Sequence, residues 1–167
     1  MPLAEQENKT PRIRPVEASH IGEIIRLADA ANLSPWTAEH YLEEMKNPRA
    51  IILRLVSAEN SLLGFVVGRV INDGFLEGTT DAEIYNIAIE SSKRRTGYGQ
   101  FLLDAFLEKC RDGGVANVWL EVRESNFSAI TFYEKNGFLN VQTRKNFYRN
   151  PHEHAMLMRL VLKPDMA

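Results

Sequence analysis

Apolar positions recur along the chain in two rhythms, one close to 3.6 residues and one of two. Ile21, Ile24, Ile25, Leu27 and Ala28 keep helical spacing, with Ser19 placed to cap the helix. Ser34-Pro35-Trp36-Thr37 interrupts that pattern; Thr37 can cap a second helix, which ends before Pro48. Ala50 to Ser57 and Leu62 to Ile71 read as strands joined by the turn Glu59-Asn60-Ser61. Residues 72–80 form a loop with two glycines, and Ala82 to Ile89 is a further strand. Helical spacing returns from Gly97 to Cys110 through Phe101, Leu102, Ala105 and Phe106, and Gly113-Gly114 stops it. Val115 to Val122 is a strand, and Asn126 to Asn136 a helix with Gly137 as its left-handed end. Phe138 to Thr143 and Ala155 to Leu162 are the last strands, linked by an aromatic loop through Phe147 and Tyr148. With a short strand at Ile13 to Val16, the order is βααβββαβαββ. Hairpins beside helical crossovers predict an α/β fold with a mixed sheet. Residues 11–164 are expected to form one domain behind a flexible extension, 1–10.

Composition narrows the function classes. The 167 residues suit one core, with 44% apolar and 25% charged residues as in ordinary globular chains. A formal charge of −2 gives no general attraction to nucleic acid or an anionic membrane. Basic residues cluster only at Lys93-Arg94-Arg95 and Arg144-Lys145. The single cysteine, Cys110, cannot form an intramolecular disulfide and reads as a small buried residue on a helix's inner face. No apolar run reaches the ~18 residues of a membrane span. Met1 to Thr10 lacks the apolar core of a signal peptide, so a cytoplasmic protein is expected.

Candidate chemistry begins where the strand ending Ile87-Ala88-Ile89 runs into Arg94-Arg95-Thr96-Gly97-Tyr98-Gly99 and then a helix. A helix start offers free backbone N–H groups and a positive dipole end, which suit a phosphate. Glycine lets the backbone approach the anion closely. The same residues also suit an ordinary turn, with glycine for conformation and arginine for solubility. A Walker loop fails because Gln100-Phe101 follows Gly99. A dinucleotide fingerprint has Glu121 at a suitable distance, but Leu102 stands where its third glycine belongs.

A second motif follows. Trp119-Leu120-Glu121-Val122-Arg123 alternates, so Glu121 shares a face with Trp119 and Arg123. Ser125-Asn126 opens the next helix, which carries Phe132-Tyr133-Glu134-Lys135-Asn136-Gly137-Phe138. Taken with the glycine loop, from about Ile13 to Leu162, the chain resembles the GNAT superfamily of acyl-CoA-dependent N-acyltransferases. Four stretches are similar to its RimI-like branch, the ribosomal-protein-alanine N-acetyltransferases. They are Glu83 to Ile89, Leu120 to Asn126, Arg144 to Tyr148 and Ala155 to Met158.

The resemblance implies a mixed, mostly antiparallel sheet flanked by helices, and acetyl-CoA as co-substrate. It implies that the backbone of Ile87, Ala88 and Ile89 lies along the pantetheine arm and meets the acyl carbonyl. The backbone of Arg95, Thr96, Gly97, Tyr98, Gly99 and Gln100 would hold the pyrophosphate, and Asn126 would contact the arm. Glu121 would be the general base and Tyr133 the general acid near the CoA sulfur. The acceptor implied is a protein N-terminus, that of a small-subunit ribosomal protein beginning with alanine. His154 and Gln142 depart from the branch, which often has an acid and a glycine there. Both lie near the acceptor side.

The chemistry is consistent with these residue types. An amine must be neutral to attack a thioester. At pH 7 that costs roughly 1 kcal/mol for an α-amine and nearly 5 for a lysine, so one carboxylate is an adequate base for the former. Glu83 is the rival base, on the preceding strand and on the face of Tyr85, Ile87 and Ile89. A backbone N–H near Ile89 can stabilise the oxyanion. His152 and His154 flank Glu153 and could share a strand face as a metal pair, but no further ligand lies near in sequence, and no metal is expected. Trp36, Tyr41, Phe147 and Tyr148 could line a peptide groove or simply pack. A small-molecule amine or a lysine as acceptor, and a non-catalytic acyl-CoA-binding module, stay open as alternatives. The oligomeric state is not legible.

Overall fold

The computed structural model describes residues 10–33, 35–72, 78–94 and 96–162. Expectations for the N-terminal extension before Thr10, for Ser34, for part of the glycine-containing loop and for Arg95 lie outside the described residues. Among those described, the elements are β1 (Arg12–Pro15), α1 (Ile21–Ala30), α2 (Ala38–Met45), β2 (Ala50–Val56), β3 (Leu62–Ile71), β4 (Asp81–Ile89), α3 (Tyr98–Asp112), β5 (Asn117–Arg123), α4 (Phe127–Lys135), β6 (Leu139–Arg149) and β7 (His152–Val161). The order is the one the hydrophobic pattern predicts. The strands form a sheet in the order β1-β2-β3-β4-β5-β7-β6. β4 and β5 run parallel; β1/β2, β5/β7 and β6/β7 are antiparallel.

The chain groups into two compact units. Among the described residues, one comprises those from Thr10 to Gly68 with those of Asn86–Lys109, the other those of Arg69–Tyr85 with those from Cys110 to Leu162. Ile24, Leu55, Phe65, Leu102, Leu103 and Phe106 are fully buried in the first. Val118, Phe138, Met158 and Cys110 are fully buried in the second. Cys110 is inert by environment, since burial pushes its thiol up to about 12.

The local signals mostly act as read. Thr37 Oγ1 accepts from the His40 N–H at 3.3 Å while the Thr37 N–H donates to His40 Nδ1 at 3.0 Å. Gly114 and Gly137 lie at φ +72° and +90°, beyond the ends of α3 and α4. Ser19 is a correction. It lies inside a short 3-10 turn, Ala18–His20, and the N–H ahead of that turn, on Glu17, donates to His20 Nδ1 at 3.0 Å.

The end of the chain is a second correction. The expected aromatic loop through Phe147 and Tyr148 is strand, continuous from Leu139 to Arg149, and β7 begins already at His152. Two irregularities hide it from a period-two reading. The register slips between Asn140 and Gln142 and again between Arg144 and Tyr148.

Candidate functional site

In the first unit, β4 ends in the half-buried Ile87 and Ile89 with Ala88 buried between them. β3 approaches this stretch closely. A Cβ on Gly64 would stand 2.8 Å from the Ala88 carbonyl oxygen and 2.5 Å from Ile89 Cδ1, so only glycine fits. The Glu90 N–H donates to the Leu63 carbonyl at 2.8 Å, continuing the pairing past the strand end. Arg94 Nε donates to the Ile89 carbonyl at 3.3 Å, and the Thr96 hydroxyl donates to the Lys93 carbonyl. These contacts fold the loop between β4 and α3 back on itself.

α3 then starts at Tyr98, and the Gly97 carbonyl accepts the Phe101 N–H at 3.0 Å. Gly97 lies at φ +85°, where side chains are strained, with nothing within 4 Å of its would-be Cβ. Helix geometry directs the N–H groups of Tyr98, Gly99 and Gln100 out of that start. The Gln100 side chain turns away to donate to Asp104 Oδ1 at 2.8 Å. A glycine with an open front at a helix start fits an anion's close approach.

The second unit holds the titratable groups. Asp81, fully buried, accepts from Asn117 Nδ2 at 3.0 Å and from Trp119 Nε1 at 2.9 Å, which ties the start of β4 to β5. Glu83 pairs in register with Trp119, so Glu83 and Glu121 stand on one face of adjacent strands. Burial raises the Glu121 carboxyl above the usual carboxylate range, opposed by Arg144. Glu83 is raised too, by burial first and then by the Glu121 charge, with Arg144 and Arg69 opposing. Arg144 Nη1 lies 2.8 Å from Glu121 Oε1. Arg69 stacks over Tyr85 at 5.8 Å.

Tyr133 lies on the inner side of α4, 7% exposed, with its ring against Phe132 and Phe138. Burial pushes its hydroxyl well above the ordinary value, and a charge on Tyr148 would push it further. Tyr148 in turn is raised to about 12, by burial first and then by Glu121. Asn126 Oδ1 accepts from the Ala129 N–H at 3.2 Å, so Asn126 is the helix cap. The junction before it is pinned by Glu153. That carboxylate accepts the Ser125 N–H at 2.6 Å and lies 3.5 Å from Arg123, whose guanidinium stacks on Tyr148 at 4.1 Å.

His154 has a structural engagement: its Nδ1 accepts the Asn146 N–H at 2.9 Å. Among the described residues no group of three or more His, Cys, Asp or Glu is arranged to hold a metal. Arg144 and Tyr148 were legible only as a basic pair and an aromatic loop. No sequence signal places them beside Glu121, because a strand bulge does so.

The profile of the Acetyltransferase (GNAT) family matches residues 21–138. The ribosomal protein bS18-alanine N-acetyltransferase of Haemophilus influenzae is 34% identical over 149 residues, 87% of this chain and 95% of that protein. The corresponding enzyme of Salmonella typhimurium is 31% identical over 137 residues, 81% of this chain and 86% of that one. The crystal structure of the ribosomal-protein-S18-alanine N-acetyltransferase from Escherichia coli matches with a TM-score of 0.78 at 26% identity, covering 95% of this chain and 99% of that one. A family match over most of the chain, with a third of residues shared along nearly its whole length, shows that this chain is an N-acetyltransferase of the GNAT family.

Proposed function

We propose that this enzyme transfers the acetyl group of acetyl-CoA to the N-terminal α-amine of a protein, and that its acceptor is an alanine N-terminus of a small-subunit ribosomal protein. The observation that carries the reading is the half-buried Glu121, its carboxyl raised by burial as a base for an amine needs, on the same unit as the buried hydroxyl of Tyr133. The named relatives supply the acceptor class. An acceptor of that kind places the enzyme in the cytoplasm.

Acetyl-CoA supplies an activated thioester. In this reading the backbone of Ile87, Ala88 and Ile89 holds the pantetheine arm. The N–H groups from Arg95 to Gln100 hold the pyrophosphate, and Asn126 contacts the arm. Glu121 takes the proton from the acceptor ammonium. Its upward shift narrows the gap to an α-amine of pKa about 7.8, so less free energy is lost in the transfer. Tyr133 gives a proton to the departing thiolate; a phenol is protonated at neutral pH, and its donation follows the build-up of charge on the sulfur. Holding both substrates in line contributes the rest.

Arg69 and Arg144 balance Glu83 and Glu121 in charge. That balance favours a peptide terminus with one positive charge over a polyamine, which would need net negative charge.

The reading is tested by mass-spectrometric acetylation of two peptides, one beginning Ala-Arg-Tyr-Phe and one with a blocked α-amine and a free lysine. Acetylation of the first at its α-amine is expected. Modification of the blocked peptide alone would overturn the acceptor assignment.

A further inference from the structure

Beyond its share in the charge balance, Arg144 meets the proposed base directly: its guanidinium lies 2.8 Å from the Glu121 carboxylate. Arg144 is the last residue of β6 paired in register before the strand becomes irregular again. β6 advances from Arg144 to Tyr148 while β7 advances only from Ala155 back to Glu153, so residues of β6 are left over and bulge out. The bulge has defined contacts. Asn146 sits at φ +54°, and its N–H is taken by His154 Nδ1 at 2.9 Å. The Phe147 ring lies 5.9 Å from the Arg144 guanidinium and meets Tyr148 edge-on at 5.1 Å and 88°.

The surroundings of Glu121 explain what such a cation does. Its own strand carries Arg123, β4 presents Glu83, β3 presents Arg69 towards Glu83, and β6 presents Tyr148 and Arg144. β7 offers an apolar residue, Leu157, directly opposite. Burial disfavours an ionised Glu121, and a protonated carboxyl cannot act as a base.

We propose that Arg144 is a positioning residue for this acetyltransferase: paired with Ala155 at the edge of the His154-held bulge of β6, it keeps the Glu121 carboxylate ionised and oriented for the acceptor amine. The proposal rests on Glu121 being the base. It gives His154 a defined place, two steps back from the reaction, acting through the bulge.

The test uses the full chain with Arg144→Gln, Arg144→Lys and His154→Ala. It records the pH dependence of kcat/KM for the Ala-Arg-Tyr-Phe peptide and the NMR titration of the Glu121 side-chain carboxyl carbon. Acetyl-CoA binding serves as the check of folding, which is secure because the Arg144 side chain keeps 36% of its exposure. Arg144→Gln should move both the acidic limb and the carbon titration upward by about one pH unit, with up to about tenfold lower kcat/KM below that limb. Arg144→Lys should restore most of the shift, and His154→Ala should move both readouts part of the way. A Gln variant that leaves both unchanged overturns the proposal. Glu121→Gln separates the two ideas. If its pH profile matches the parent's, the base assignment fails, while the carbon titration still decides whether Arg144 controls the charge on Glu121.

Discussion

Tyr133 and Glu83 show how one environment acts in two ways. Removing the Tyr133 hydroxyl leaves the ring against Phe132 and Phe138, so Tyr133→Phe keeps the packing and deletes only the proposed proton donor. Turnover should fall about 10²-fold with acetyl-CoA affinity unchanged, checked by steady-state kinetics beside equilibrium binding. Full activity in that variant would end the acid role.

Glu83 carries a linkage effect. Its folded-state carboxyl holds a proton more tightly than the unfolded chain does. The stability this contributes is fully present below the ordinary carboxylate range and is lost as pH rises through the raised value. Glu83→Gln should therefore be more stable than the parent at pH 7.5, with the difference shrinking towards pH 4. Urea midpoints at both pH values test it, and a constant difference would contradict the assigned burial cause.

Elements read well from the sequence where neighbours in the chain do the work. Thr37 caps α2 through groups three residues away, and Gly114 and Gly137 close their helices by their own φ. β6 read poorly because its alternation is broken: the slip at Asn140/Gln142 shifts side chains between faces, and that at Arg144/Tyr148 inserts two unpaired residues. Gly64 is another case the pattern could not flag, since a glycine in a buried strand looks like any small residue. Its reason is the approach of β3 to Ala88 and Ile89. Gly64→Ala must displace the very backbone proposed to hold the cofactor arm. It should cost roughly 1–3 kcal/mol of stability and weaken acetyl-CoA binding, measured by urea denaturation and calorimetry. Unchanged acetyl-CoA affinity in a folded variant would separate β4 from the arm.

Among the described residues no helix is long and apolar enough to cross a membrane. Cys110 gives a report on global opening, because it is fully buried and its thiol is raised to about 12. Iodoacetamide should leave the native enzyme unmodified over hours at pH 8 and label it at the rate of unfolding in urea. Rapid native labelling, read by intact mass, would show that α3 opens locally.

The sequence alone determined the order of elements, the glycine loop ahead of α3 and the family likeness carried by Glu121, Asn126 and Tyr133. These depend on residues close in the chain, whose spacing sets helix, turn and strand before any long-range contact forms. The tertiary structure decided which charges meet. Glu83, Glu121, Arg69 and Arg144 come from four different strands, and their meeting depends on sheet register and on a bulge in β6. Register is a cross-strand property, fixed by packing and backbone pairing over long separations, so nothing local in the sequence records it.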